Sequence, residues 1–282
     1  YRPGARPLYK AGVDGSGRML ALENHFITFG IDGKTISGAG LSPKRSPAGL
    51  LPNFRLRQSM LPTNVPTGPW RAPGASAYTW AYQSFYDEVA LAAGRDPLDF
   101  RLDLLSKAYG EPPLDLARAR GTLKLAAEKA GWGRDPGPNR GLGIAFSYGH
   151  RGYVSHVAEV LATGTEVRVE KVISAVDVGP IINLSGARAQ VEGCVTDALS
   201  TAQLEVTFEG GAAVQRNFNS YPLLRFDRAP EVEVHFIQSD NSPTGLGEPP
   251  ILAAPPAFAN AIFAATGTRV REMPFQRAGV AV

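Results

Sequence analysis

Cysteine is almost absent from this 282-residue sequence, where Cys194 stands alone. A single thiol cannot close an internal disulfide, and it cannot supply the ligands of an iron–sulfur cluster or a cysteine-based zinc site. Any redox centre must come from outside the polypeptide. Histidine is scarce too, and His25, His150, His156 and His235 show no ligand spacing of the HExxH kind, so each reads as a strand or loop residue. No apolar run reaches the length of a membrane span. The opening Tyr1-Arg2-Pro3-Gly4 lacks the order of an export signal, and without an initiator Met the chain reads as a processed or partial product. Charge of either sign is in little excess: 29 Lys and Arg stand against 26 Asp and Glu, for a net +3, and the basic residues are scattered. That distribution excludes a nucleic-acid footprint, so no nucleic-acid partner is expected. Walker loops, nucleophile elbows and a complete dinucleotide fingerprint are also missing, since Gly141-Leu142-Gly143 has no third glycine and no following helix.

What is present suits a large folded core. At 44% hydrophobic, the chain can bury one large domain or two smaller ones. Alternation predicts a strand over 18–29, then irregular chain over 30–67, which is rich in Gly, Pro and Ser. Periodicity predicts helices over 75–93, 97–105 and 114–130, the second opened by Asp96-Pro97. Residues 131–140 read as a linker, so an α+β region over 1–135 and a second over 136–282 are expected. Beyond the linker, strands are predicted over 141–148, 153–161 and 167–178, then a helix over 186–201 capped by Asn183 or Ser185. Strands at 204–208 and 214–218 should flank the turn Glu209-Gly210-Gly211, and a last strand at 231–237 leads to a buried helix over 251–266. Strands and helices come in runs without a regular alternation or an internal repeat, which reads as α+β.

Three places could carry chemistry. Thr244-Gly245-Leu246-Gly247-Glu248-Pro249-Pro250 sets one carboxylate between two glycines that free the backbone and two prolines that stiffen it. At the mouth of an apolar helix, Glu248 should lose water and gain basicity, although residues at that position more often cap the helix. Gln190, in Ala189-Gln190-Val191-Glu192-Gly193, offers an amide that could serve a polar cofactor or simply face solvent. Arg71, hemmed in by Pro69, Trp70 and Pro73, could bind an anionic or carbonyl group or could be a stacked structural arginine.

The order of these pieces adds what no single one supplies. Thr67-Gly68-Pro69-Trp70-Arg71-Ala72-Pro73-Gly74, Asp96-Pro97-Leu98-Asp99-Phe100-Arg101, Gln190-Val191-Glu192-Gly193, Tyr221-Pro222-Leu223-Leu224-Arg225 and Gly245-Leu246-Gly247-Glu248-Pro249-Pro250 follow one another. In that order the chain resembles the molybdenum-binding subunit of the xanthine oxidase family, nearest its isoquinoline oxidoreductase and aldehyde dehydrogenase beta-subunit branch. The resemblance implies a molybdenum hydroxylase that oxidises an aldehyde or N-heterocycle with water as the oxygen source. It implies Glu248 as general base, Arg71 facing the substrate, and Gln190, Gly245 and Gly247 at a molybdenum–molybdopterin cofactor, with the cytosine dinucleotide form left open. No protein ligand to the metal is implied.

The departures carry implications of their own. The Gly-Gly-Gly-Phe-Gly and Met-Gly-Gln-Gly loops of the family are missing, so only the C-terminal half of the usual subunit is recognisable, and Cys194 follows Gly193 where the family often has glycine. The expected partners are a polypeptide supplying the N-terminal half, a subunit holding the iron–sulfur clusters, and a small-molecule substrate. A cofactor-free scaffold or assembly protein with the same fold is the alternative. The compartment, cytoplasmic or periplasmic, stays open.

Overall fold

The computed structural model describes residues 1–41 and 47–282. Its first sheet contains β1 (Arg6–Val13), β2 (Met19–Ile31), β3 (Lys34–Thr35) and β4 (Asn53–Pro62). β2 pairs antiparallel with β1 and β3 and parallel with β4. Three helices follow: α1 (Ser76–Ala92), α2 (Pro97–Leu104) and α3 (Leu116–Ala130). Asp96 and Asp115 cap the last two, each accepting from two backbone N–H groups, and Gly131 ends α3 in the left-handed region at φ 62°.

The second sheet is built from β5 (Arg140–Gly149), β6 (Gly152–Thr163) and β7 (Glu166–Asp177). After α4 (Leu184–Ala202) and the two-residue strands β8 (Phe208–Glu209) and β9 (Ala212–Ala213), β10 (Glu231–Phe236) adds parallel to β7. The order is β10-β7-β6-β5. Strand residues here are buried on both faces, which explains their near-continuous apolar sequence. Ala145, Ala158, Val160 and Val172 pack with α4 and the final long helix, α5 (Pro249–Thr266). Ile144, Phe146, Val157, Ile173 and Ala175 pack on the other side with α1 and α3, so this cluster draws on residues from both sides of residue 135.

Glycine decides how closely α5 approaches the sheet. A Cβ on Gly143 would fall within the backbone of Ala257 and Ala261 and 2.7 Å from the Asn260 carbonyl carbon, and one on Gly141 would lie 2.5 Å from the Ala265 nitrogen. The two backbones meet there without side chains between them. Side chains also close the free edge of β5: Asn260 Nδ2 donates to the Ile144 carbonyl at 3.1 Å, and Gln83 Oε1 accepts from the Phe146 N–H at 3.2 Å.

Three expectations need correction. The stretch 30–67 is not irregular throughout, because β4 occupies ten of its residues; residues 42–46 of that stretch lie outside the described residues. β4 is an exposed edge strand joined in parallel to a strand far back in the chain, so it shows neither a clean apolar alternation nor a hairpin signal. β1 was likewise not expected, being mostly exposed. Of the strands expected at 204–208 and 214–218 only Phe208 lies in a strand: β8 pairs with β9 at Ala212–Ala213, about Gly210 and Gly211, both at positive φ, and 214–218 forms no strand.

The close approach of α5 is testable by adding one carbon. Gly143→Ala should lower unfolding stability in urea by about 1–3 kcal/mol or more, as overpacking does. Gly193→Ala, where a Cβ meets nothing within 4 Å on α4, should be neutral or stabilising by up to about 1 kcal/mol. Equal effects at the two sites would show that α5 and β5 are not in backbone contact.

Candidate active site

Glu248 occupies the N-cap position of α5, but its side chain makes no capping hydrogen bond. Pro249 and Pro250 follow at positions that need no N–H donor, so the helix starts without drawing on the carboxylate. Neighbouring strands hold this first turn from beneath. Ser147 Oγ donates to the Pro249 carbonyl at 3.1 Å, and His156 Nε2 lies 2.7 Å from the Pro250 carbonyl. A carbonyl only accepts, so Nε2 carries the proton and Nδ1 accepts from Ser174 Oγ at 2.8 Å. Burial pushes the His156 pKa down to about 4, which keeps the ring neutral and this tautomer fixed.

Arg71 links the other expected residues. Its Nε donates to the Gly247 carbonyl at 2.6 Å, Nη2 to Gln190 Oε1 at 3.3 Å, and Nη1 to Asp197 Oδ2 at 3.4 Å. Ala72, the next residue, is buried with φ 58°, a conformation that L-residues seldom adopt. Cys194, fully buried, brings Sγ to 3.5 Å from the same Gly247 carbonyl. Burial raises the thiol pKa to about 11, so it stays protonated and can donate. Two donors therefore fix the peptide that precedes Glu248. Four of the five expected site residues, Arg71, Gln190, Gly247 and Glu248, thus share one neighbourhood, and Gly245 lies in the same loop.

Two expectations about the loop change. Neither Gly245 nor Gly247 adopts positive φ, so backbone freedom is not what these positions use. A Cβ on Gly245 would meet nothing within 4 Å, and one on Gly247 only Gln190 Oε1 at 3.5 Å, so glycine there leaves open space. Glu248 is not sealed from water either: its side chain is 35% exposed within this chain. The exposure is uneven, however. Oε2 itself is shut off from solvent and makes no aligned hydrogen bond, although His150 Nε2 sits 2.5 Å away, and Thr244 Oγ1 in the same loop is buried without a partner.

Comparison with known proteins fits this geometry. A family described as the molybdopterin cofactor-binding domain matches residues 92–230, a span that includes α4 and Gln190. Over 240 residues the chain is 34% identical to a membrane-bound aldehyde dehydrogenase [pyrroloquinoline-quinone] of Gluconacetobacter polyoxogenes, covering 80% of this chain and 31% of that protein. It is 31% identical over 214 residues to the isoquinoline 1-oxidoreductase subunit beta of Brevundimonas diminuta, covering 74% and 26%. The chain belongs to the molybdopterin cofactor-binding family. Its fold agrees with that of reconstituted CO dehydrogenase from Oligotropha carboxidovorans at a TM-score of 0.79 and 11% identity, over 98% of this chain and 61% of that one. The chain spans about a third or less of the length of these curated relatives.

The residues present fit such a cofactor. Gln190 is exposed at the rim with its amide nitrogen unengaged among the described residues, Gly245 and Gly247 leave room beside it, and two buried oxygens of the loop lack partners. The chain thus offers polar groups and space on one side of the Glu248 loop. Sequence reasoning passed over His150, His156 and Asp197, whose importance comes from contacts across distant elements; the only local hint was His150-Arg151 between Gly149 and Gly152, a turn-like tetrapeptide.

His156 should make stability depend on pH. A base whose folded pKa lies below its ordinary 6.5 contributes in full above that pH and loses its contribution as pH falls towards 4. His156→Gln keeps a donor for Pro250 and an acceptor for Ser174 but does not titrate. The wild-type advantage over this variant in urea unfolding should shrink by on the order of 3 kcal/mol between those pH values. A constant difference would mean that the ring is not held neutral.

Proposed function

We propose that this chain is part of the catalytic subunit of a molybdenum hydroxylase, converting an aldehyde or an electron-poor N-heterocycle to its hydroxylated product with oxygen taken from water. The overall change takes R–H and water to R–OH, two electrons and two protons. When bound, molybdenum–molybdopterin supplies the two-electron redox centre. The observation that carries the reading is the Glu248 carboxylate, left free of the helix it starts and with one oxygen buried and unaligned to any donor. Such a group can take a proton from the water-derived nucleophile as general base. Arg71, already tied to Gln190 and Gly247, keeps N–H capacity to face negative charge on the substrate side while fixing the loop. Gln190, with Gly245 and Gly247, would hold the pterin by its amide and by open backbone.

Electrons would leave to iron–sulfur clusters on a partner subunit, since Cys194 alone cannot ligate a cluster. A second polypeptide segment would complete the cofactor site. Supporting this, Ile182 is 93% exposed, Phe218 72% and Phe226 98%, an apolar load that an isolated surface seldom carries. The Gluconacetobacter relative is named for pyrroloquinoline quinone. We assign molybdopterin here on the domain match and on the loop that fits it.

Glu248→Gln keeps shape and hydrogen bonding but cannot take a proton. In the complete protein, hydroxylation rate should fall about 10²–10⁴-fold. Molybdenum and pterin content should stay at the wild-type level, because Arg71 and Cys194 hold the loop through the Gly247 carbonyl and not through this carboxylate. A variant with full cofactor that turns over within a few-fold of wild type would remove Glu248 from the mechanism and favour the scaffold alternative.

A further inference from the structure

The turn joining β5 to β6 is built in a way its own pairing does not require. Gly149 pairs with Gly152, leaving His150 and Arg151 as a two-residue loop with φ 49° and 64°. Both lie in the left-handed region, where turns of this kind usually place Asn or Gly, and non-glycine residues there carry a cost of about 1–3 kcal/mol each. Strain held at one spot is informative when the surroundings enforce it, and here they do. A Cβ on Gly149 would lie 2.7 Å from Leu252 Cδ1 on the first turns of α5. One on Gly152 would lie 3.2 Å from Pro249 Cγ and 3.4 Å from Thr244 Oγ1. The hairpin tip is therefore seated against residues on both sides of Glu248, and it presents His150 Nε2 at 2.5 Å from Glu248 Oε2.

The two partners differ in their access to water. Glu248 Oε2 is shut off, whereas the His150 side chain is 59% exposed. A general base that takes a proton in each turnover must release it before the next, and a proton held on Oε2 faces His150 Nε2 and not solvent. The imidazole bridges that gap.

We propose that His150 is a positioning residue for Glu248 and the exit for its proton. The inference rests on the reading of Glu248 as base. After Glu248 has taken the proton, the Oε2–H bond breaks and the Nε2–H bond of a neutral His150 forms, giving carboxylate and imidazolium. The imidazolium then loses its Nδ1 proton to solvent water, leaving the proton on Nε2, and exchange of the ring protons with solvent on the exposed side chain restores the Nδ1–H tautomer that can accept again. No oxidant or co-reactant is needed. The alignment that the contact lacks is what closure around cofactor and substrate should supply, as catalytic hydrogen bonds commonly tighten on binding.

Two measurements test this, and one does not depend on activity. With only four histidines, the chain labelled with ¹⁵N-histidine gives a spectrum assignable by substitution. Glu248→Gln should move the ring signals of His150 and leave those of His25 and His235 in place. Unmoved His150 signals would overturn the pairing. In the complete protein, His150→Gly suits the positive φ and should fold, yet lower turnover about 10–100-fold, with added imidazole restoring most of the rate. A loss that imidazole does not restore would overturn the relay, and so would an unchanged rate. Should Glu248→Gln remain fully active, the general-base reading fails and the relay with it, while the spectroscopic result still decides the pairing.

Discussion

Helix α5 can lie on the second sheet as it does because β5 has hydrogens, not side chains, at Gly141 and Gly143. Much of the site depends on that contact. It sets the depth of α5, and α5 sets the place of Glu248 at its N-cap. Small residues on the helix face, Ala257, Ala261 and Ala264, answer the two glycines, while Asn260 closes the strand edge beside them. A helix this apolar and this deeply buried has little freedom to rotate, and interiors packed to such density transmit small displacements instead of absorbing them. The carboxylate is therefore positioned by the core and not by a flexible loop.

The loop that enters α5 is fixed from the opposite side. The Gly247 carbonyl lies against Arg71 Nε and Cys194 Sγ, and Arg71 reaches onward to Gln190 and Asp197 on α4. Cys194, which departs from the glycine common in the family, is thus a packed thiol that supports the loop. Ser147 and His156 hold the first-turn carbonyls from within the sheet. Strands, helix and loop all contribute restraints. Glu248 spends none of its hydrogen-bonding capacity on the helix it starts, and its carboxylate faces His150 instead.

The second half of the chain was the more legible in sequence. Its strands are long, buried on both faces and joined by tight hairpins, so apolar runs and Gly-containing turns marked them. α2 was readable from Asp96-Pro97 at its start, and α3 from its periodicity, although its Asp115 cap was taken into the helix. β4 was not, since its partner lies some thirty residues back and its exposed side chains carry no alternation. Glu248, Gln190 and Arg71 stood out only when taken in order with the other motifs. His156 and His150 could not be read that way, because each acts through a contact about a hundred residues distant that local pattern does not encode. The pairing of Arg71 with Gly247, across 176 residues, belongs to the same class.

One measurement bears most directly on the assignment of this chain to a molybdopterin site. The complete protein, purified natively with its partners, should contain molybdenum and pterin in about equal amounts with this chain, and mild denaturation should release both together. Protein that is intact and assembled yet holds neither, or that holds a quinone in their place, would contradict the account and leave the Glu248 loop a scaffold without its chemistry.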